Sequence, residues 1–218
     1  KDISYKAGAF MRFFIPASTT STIPLDLSDE FKPYWQHIKN RSFEHDACTR
    51  NYSFAMSSST TEELVFTIKV QSAPDDSLQP GVASHYLCNL DVGKTVEALG
   101  PFEEFYARDN SLKTLVLVGA GSGMAPLRAI IDEQIAGSIK SDKTLRDIYF
   151  FYGARAEIDL LYANDFYDLA DQNVNFHYIP ALSKPDDAWL GATGYAQHIL
   201  ELNLDSLENI DELEFYIC

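Results

Sequence analysis

The sequence predicts two fold classes in succession, an antiparallel β-barrel over residues 1–110 and an α/β domain with a parallel sheet over residues 111–218. The first hundred residues contain several strand patterns and little helix, which is typical of a small barrel. From Leu115 onwards, short apolar runs alternate with helical patterns, which indicates parallel strands joined by crossover helices. A glycine-rich loop separates the first of these strands from its helix.

This loop is the strongest functional signal in the chain. An apolar run, Leu115–Val118, ends in Gly119-Ala120-Gly121-Ser122-Gly123, and Pro126 follows where a helix can begin. We expect that helix to end at Gly137. A strand, a glycine loop and a helix N-terminus together can bind a diphosphate through backbone N–H groups. A tight strand-to-helix turn is the alternative, but three glycines within five residues are more than such a turn needs. The spacing fits neither the dinucleotide fingerprint nor the P-loop.

Composition narrows the class of partner. The chain has 218 residues and a net charge of −15, which argues against nucleic acid as a partner. No apolar run approaches the length of a membrane span, and the start of the chain has no signal-peptide pattern.

The three cysteines are too scattered for a zinc or iron–sulfur site, so we predict no metal and reduced thiols. The strand pattern of Leu213–Cys218 stops abruptly, so we expect a soluble fragment of a longer protein.

In the first half, strands are predicted around Phe10–Ile15 and over Asn51–Met56, Leu64–Val70 and Lys94–Leu99. An insertion at about residues 17–46 is rich in Ser and Thr, and we expect it on the surface with one short helix between Asp29 and Ile38. A second short helical pattern runs from Gly81 to Leu90. We expect the joint between the domains at residues 109–111.

In the second half, three further strands are predicted at residues 148–152, 176–179 and 213–217, with helices at 164–169 and 196–202. Ligands of parallel sheets bind at the carboxyl ends of the strands. Arg155 follows such an end, so it is a candidate nucleotide contact, although a surface salt bridge with Asp159 is the alternative.

Two weaker signals lie in the barrel. Alternation places Arg50 and Tyr52 on one strand face, beside Ser53, although a surface arginine and a core tyrosine explain the same pattern. The pattern that starts at Gly81 offers a second helix N-terminus for a phosphate, which any helix would also offer.

Taken together and in this order, these pieces resemble the ferredoxin–NADP reductase family. The matching motifs are Arg50-x-Tyr52-Ser53, the run Gly81–Tyr86, the GxGxGxxP pattern of Gly119–Pro126, the sequence YGAR ending at Arg155, and Cys218. The resemblance covers nearly the whole chain and implies a barrel that binds FAD and an α/β domain that binds a nicotinamide nucleotide.

The resemblance also implies roles for individual residues. Arg50 would pair with the flavin diphosphate, Tyr52 would lie along the isoalloxazine, and Ser53 would bond near its N5 atom. Ser53 and Cys218 are therefore the candidate catalytic residues, with Cys218 near the nicotinamide. The remaining candidate cofactor-binding residues are Gly81, Ala83 and Ser84 for FAD, and Gly119, Gly121, Gly123, Met124, Pro126 and Arg155 for NADH.

Within the family, the insertion, the GPFEEFY run at residues 100–106 and the YGAR run are most similar to the FAD- and NADH-binding F subunits of the sodium-translocating NADH:quinone reductases. This similarity implies hydride transfer from NADH to FAD and then electrons to a [2Fe–2S] centre in another domain of the parent chain. It also implies membrane subunits as partners, at the cytoplasmic face of the inner membrane. Glu103 departs from the family, which usually has glycine there. The alternatives are the reductase component of an aromatic-ring oxygenase and a flavin-free nucleotide-binding module.

The resemblance leaves the nucleotide preference open. We expect NADH rather than NADPH, because Glu157 and Asp159 follow Arg155 and would repel a 2′-phosphate. We also expect the isolated fragment to bind FAD weakly and to oxidise NADH poorly.

Overall fold

A computed structural model describes residues 3–24, 27, 29, 31–73, 75, 77–108, 111–141, 146–207 and 209–218. The strands are β1 (Phe10–Ile15), β2 (Ser18–Ser21), β3 (Ser42–His45), β4 (Cys48–Ser53), β5 (Glu97–Phe102), β6 (Thr114–Ala120), β7 (Ile148–Ala154), β8 (Phe176–Leu182), β9 (Ala192–Thr193) and β10 (Leu213–Ile217). The helices are α1 (Lys32–Trp35), α2 (Val82–Cys88), α3 (Met124–Ser141), α4 (Ala163–Gln172) and α5 (Ala196–Asn203). No helix within these residues is long and apolar enough to cross a membrane.

The chain divides into two units that are not consecutive in sequence. One unit comprises Phe10–Tyr52 and Thr67–Phe102 and is called the flavin unit, after the ligand that the sequence resemblance implies for it. The other comprises Lys1–Ala9, Ser53–Phe66 and Glu103–Cys218 and is called the nucleotide unit for the same reason. Short stretches of the predicted first domain therefore belong with the α/β sheet. Residues 109 and 110 of the predicted joint lie outside the described residues.

The flavin unit is built on antiparallel sheets. Its larger sheet has the order β4-β1-β5, and β1 pairs with β5 in antiparallel register, Phe10 opposite Phe102. Met11, Phe13 and Ile15 are buried while the residues between them are more exposed, which is the period of two that the sequence indicates.

The insertion is more regular than the sequence suggests. Its two ends form β2 and β3, which pair in antiparallel register from Ser18 opposite His45 to Ser21 opposite Ser42. The His45 ring is buried and its Nε2 atom lies 3.1 Å from the Thr20 hydroxyl. Between the strands, the predicted helix is reduced to the four residues of α1.

The predicted strand Leu64–Val70 is wrong as a regular strand. In the nucleotide unit, its residues contribute one isolated antiparallel bridge, Phe54 with Phe66, and the Val65 carbonyl accepts the Ala55 N–H at 2.8 Å. Alternating hydrophobicity shows that two faces differ in burial, but a ladder also needs a partner strand in register.

The nucleotide unit contains a parallel sheet of five strands in the order β10-β6-β7-β8-β9, and each neighbouring pair is parallel. Buried residues of α3 and α4 pack on one face of it, among them Leu127, Ile130 and Phe166. Ile199 of α5 packs on the other face against Val116 and Phe151. Strands that are covered on both faces are apolar throughout, which explains the run in β6.

Helix α3 is longer than predicted. It begins at Met124 and continues to Ser141, so Gly137 lies inside it and does not end it. A Cβ atom at Gly137 would meet nothing within 4 Å, so this glycine meets no close-packing requirement. The helix continues because packing of its apolar face outweighs the low helix propensity of one glycine.

Candidate functional site

The glycine loop lies at the carboxyl end of β6, the second strand of the parallel sheet. Ala120 ends the strand, residues Gly121–Gly123 form a single turn of 3-10 helix, and α3 starts at Met124. The N-terminus of this 18-residue helix therefore meets the carboxyl edge of the sheet, where ligands of α/β proteins bind.

The three loop glycines have different surroundings. Gly121 has φ +53°, and a Cβ atom there would meet nothing within 4 Å. A Cβ atom on Gly119 would lie 2.8 Å from Cδ1 of Leu127, and one on Gly123 would lie 2.8 Å from the carbonyl oxygen of Cys218. Gly121 therefore leaves open space that a ligand could use, whereas Gly119 and Gly123 allow the chain to pack against itself.

Cys218 lies beside this loop. Its N–H donates to the Val118 carbonyl at 3.0 Å, which extends the pairing of β10 with β6 by one residue. Burial raises the pKa of the Cys218 thiol, so the thiol remains protonated at neutral pH. The structure thus brings the predicted Cys218 and the predicted loop together.

Met124 and Pro126 are both buried in the first turn of α3. Proline is compatible with this position because the first N–H groups of a helix have no partner in the helix. These two residues can shape the start of the helix, but neither offers a free N–H to a ligand, because the Met124 N–H donates to the Gly121 carbonyl and proline has none.

Arg155 follows β7 directly and is exposed. Its carbonyl accepts the Lys184 N–H at 2.8 Å, and the Ala154 carbonyl accepts the Ser183 N–H at 3.0 Å. Two cations, Arg155 and Lys184, therefore follow neighbouring strands at the same edge of the sheet. Lys184 was not predicted from the sequence, although its position shortly after a strand was the same signal that selected Arg155.

The two carboxylates after Arg155 differ. Glu157 is exposed, while Asp159 Oδ2 accepts the Ala156 N–H at 3.3 Å within its own turn. This bond holds the Asp159 carboxylate within its own turn but does not remove its negative charge, so the repulsion of a 2′-phosphate stays a prediction.

A further residue of this site, Tyr152, was predicted only as part of a matching run. It is fully buried in β7, and its hydroxyl donates to the Gly121 carbonyl at 3.1 Å. The signal in the sequence is a tyrosine hydroxyl in a largely apolar strand, because a hydroxyl that is buried there needs a partner.

In the flavin unit, Arg50 and Tyr52 lie two residues apart on β4, so they share one face. Arg50 is exposed, and its Nη1 atom donates to the Thr49 carbonyl at 2.7 Å. Tyr52 is half-buried, and the Phe13 ring packs edge-on against it with ring centres 5.6 Å apart. Burial raises the pKa of Tyr52, and the nearby Arg50 partly opposes this shift. Ser53 is the half-buried last residue of β4, where the chain passes into the nucleotide unit.

Helix α2 starts after Gly81, and Ala83 and Ser84 are buried in its first turn. The Ser84 hydroxyl accepts the Gln71 N–H at 3.1 Å and donates to the Gly81 carbonyl at 3.0 Å. A Cβ atom on Gly81 would lie 2.8 Å from Cβ of Gln71. Gly81 and Ser84 thus hold the start of α2 against Gln71, and the backbone N–H groups remain as the possible phosphate donors.

No group of three or more His, Cys, Asp or Glu side chains within the described part of the chain could hold a metal ion.

Two family models match the chain: an oxidoreductase FAD-binding domain over residues 18–106 and an oxidoreductase NAD-binding domain over residues 117–218. The division predicted near residue 110 falls between them and remains a prediction. The F subunit of the Na(+)-translocating NADH-quinone reductase of Serratia proteamaculans is 32% identical in an alignment that covers 100% of this chain and 54% of that protein. Its counterpart in Moritella marina is 32% identical over 98% of this chain and 71% of that protein. The chain spans about half the length (54%) of the curated relatives it matches first.

Solved structures support the fold. The cytochrome b5 reductase domain of Ulva prolifera nitrate reductase has a TM-score of 0.73 at 17% identity, covering 99% of this chain and 76% of that one. Ferredoxin-NADP+ reductase of Plasmodium falciparum has a TM-score of 0.68 at 20% identity, covering 99% of this chain and 72% of that one. At these identities the likeness shows the fold alone.

These matches confirm the family resemblance, the fold class and the two cofactors that the sequence implied, FAD and NADH. With 32% identity over 71% of the Moritella marina protein, the chain belongs to the family of the F subunits of Na(+)-translocating NADH-quinone reductases.

Proposed function

We propose that the protein carrying this chain transfers hydride from NADH to FAD and then passes electrons singly to a [2Fe–2S] centre, as part of a sodium-translocating NADH:quinone reductase. The observation that carries the proposal is the open loop at Gly121, placed between the carboxyl end of β6 and the N-terminus of α3. A diphosphate can approach backbone N–H groups there without meeting a side chain. FAD supplies the exchange between a two-electron donor and a one-electron acceptor.

The nucleotide unit would bind NADH. Gly121 admits the diphosphate, while Gly119 and Gly123 allow the loop to fold closely, and Met124 and Pro126 shape the start of the helix. Arg155 supplies positive charge at the same edge. Cys218 would lie near the nicotinamide, as a neutral thiol and a small contact surface, because burial raises its pKa.

The flavin unit would bind FAD. Arg50 is exposed and can pair with the flavin diphosphate, and Tyr52 offers a half-buried ring from the same strand face. Gly81, Ala83 and Ser84 form the start of α2, whose backbone N–H groups would complete the diphosphate site. Ser53, which follows Tyr52 as the last residue of β4 and is grouped with the nucleotide unit, would donate a hydrogen bond near N5 of the flavin. No general acid or base is required of the chain for hydride transfer.

The partners follow from the relatives. They are subunits of a Na(+)-translocating NADH-quinone reductase, so we propose membrane subunits of that complex and an iron–sulfur domain as electron partners. We place the protein at the cytoplasmic face of the inner membrane. Freeze-quenched samples of the full natural protein should show the spectrum of a reduced [2Fe–2S] centre after NADH is added. Flavin bleaching without that signal would contradict the proposed electron route.

Substitution of Gly121 tests the nucleotide site. A carboxylate at Gly121 would face the diphosphate, so Gly121→Asp should raise KM for NADH at least about tenfold while dithionite still reduces the flavin. Gly93→Asp is the matched control, because Gly93 also has positive φ, +92°, and nothing within 4 Å of its Cβ position. Steady-state kinetics of the FAD-loaded protein decide the matter, and an unchanged KM in Gly121→Asp would refute the site.

A further inference from the structure

The Tyr152 hydroxyl connects two loops at the carboxyl edge of the parallel sheet. It donates to the Gly121 carbonyl at 3.1 Å and accepts the Leu161 N–H at 3.3 Å. A carbonyl can only accept and an amide N–H can only donate, so both roles of the hydroxyl are fixed. The hydroxyl therefore joins the glycine loop after β6 to the loop after β7. Each bonded group also has a backbone partner: the Gly121 carbonyl accepts the Met124 N–H, and the Leu161 N–H donates to the Asp159 carbonyl at 3.1 Å.

The aromatic ring is itself fixed. Tyr152 is fully buried, and its ring stacks on Phe150 at 5.4 Å and meets Phe166 edge-on at 6.4 Å. Burial raises the pKa of Tyr152 to about 12, so the phenol remains a neutral donor at physiological pH. The hydroxyl is thus a permanent donor at a fixed position below the loop.

The bond to Gly121 also orients the next N–H group. A trans peptide is planar, and its C=O and N–H point in opposite directions. Tyr152 holds the Gly121 carbonyl together with the Met124 N–H, so the Ser122 N–H of the same peptide points the opposite way. Rotation of that peptide would instead direct a partially negative oxygen towards an approaching diphosphate.

We propose that Tyr152 is a positioning residue for the nicotinamide nucleotide, which holds the Gly121–Ser122 peptide with its N–H directed at the diphosphate. This inference rests on the proposed function, since it assumes that the loop binds NADH. It adds a residue that touches neither cofactor and acts only through the backbone of the loop.

Tyr152→Phe removes the hydroxyl and keeps the ring. The loss of one hydrogen bond that orients the binding group should raise KM for NADH about five- to tenfold, with kcat unchanged, because ground state and transition state lose the same contact. Tyr178→Phe is the matched control. The Tyr178 ring stacks on Phe150 at 5.9 Å, and within the described residues its buried hydroxyl has no hydrogen-bond partner.

Two more measurements distinguish an effect on the glycine loop from a general destabilisation of the sheet. Amide hydrogen exchange should become faster at Leu161 and in the glycine loop of Tyr152→Phe, and should be unchanged elsewhere in the sheet. Calorimetric titration with ADP-ribose, which contains the diphosphate, should show the same five- to tenfold loss of affinity relative to the unsubstituted protein, about 1–1.4 kcal/mol.

The outcomes are distinct. Equal ADP-ribose affinity in the unsubstituted protein and in Tyr152→Phe overturns the inference, as does an equal loss in Tyr178→Phe. If the unsubstituted protein binds ADP-ribose but does not reduce FAD with NADH, the proposed function fails, and the two affinities still decide the role of Tyr152. If the unsubstituted protein binds no ADP-ribose, both proposals fail.

Discussion

Arg50 is an exposed cation on a strand face that it shares with Tyr52, and its single substitution tests the flavin site. Charge-assisted hydrogen bonds to a phosphate contribute about 1.5–3 kcal/mol, so Arg50→Ala should weaken FAD binding about ten- to a hundredfold. Arg12→Ala is the control, since Arg12 is also exposed on this sheet and donates to Asn51 at 3.1 Å. The flavin-to-protein absorbance ratio after gel filtration measures the loss, and full occupancy in Arg50→Ala would contradict the assignment.

Lys184 bears on the choice between NADH and NADPH. It follows β8 as Arg155 follows β7, and a 2′-phosphate at this edge would gain from both cations, while Glu157 would oppose it. We expect NADH to have the higher kcat/KM, and Lys184→Ala to lower kcat/KM for NADPH more than for NADH. Lys94→Ala, an exposed lysine of the flavin unit, is the control. An equal loss with both nucleotides would show that Lys184 does not face the 2′ position.

Alanine substitutions of two glycines, one inside α3 and one directly before it, should change the free energy of unfolding in opposite directions. Gly137 is exposed inside the helix with free space around it, so Gly137→Ala should stabilise the protein by about 0.5–1 kcal/mol. Gly123→Ala would place a Cβ atom 2.8 Å from the Cys218 carbonyl and should destabilise it, because the backbone must move. Denaturant unfolding measures both changes. Stabilisation by Gly123→Ala would mean that the contact with Cys218 is not formed.

Elements with a strong local pattern were predictable. The apolar run of β6 and the alternation of β1 identified two strands close to their observed bounds. Leu64–Val70 has the same alternation but forms a single bridge, because pairing depends on a partner elsewhere in the chain. The two strands of the insertion were not predicted for the same reason. Its strands β2 and β3 become regular through each other, across some twenty intervening residues.

In the candidate site, too, residues with a local sequence signal were predicted, and residues that depend on distant contacts were not. The loop and Arg155 were predicted because glycine spacing and strand ends are visible in the sequence, and Cys218 was predicted from the family resemblance. Tyr152 and Lys184 were not, because their importance comes from bonds to Gly121 and Arg155, 31 and 29 positions away in the chain.

The whole molecule carries a net charge of −15, and repulsion among these like charges destabilises the folded state. Screening should reduce this repulsion, so the melting temperature should rise when NaCl is increased from about 0.01 M to about 0.15 M, where the Debye length falls from about 30 Å to about 8 Å. Scanning calorimetry at pH 7 provides the test. A melting temperature that falls over this range would show that favourable ion pairs, such as Arg146 with Glu214 at 3.5 Å, outweigh the repulsion.

The interrupted sequence of the nucleotide unit has a consequence for the order of events on the ribosome. Residues early in this unit bond to residues that are synthesised later, as when the Lys6 N–H donates to the Glu103 carboxylate at 2.9 Å. The parallel sheet also lacks the strand beside β6 until β10 has been synthesised. All residues of the flavin unit, by contrast, have been synthesised once Phe102 has emerged. During translation the sheets of the flavin unit can therefore form before β10 joins the parallel sheet of the nucleotide unit.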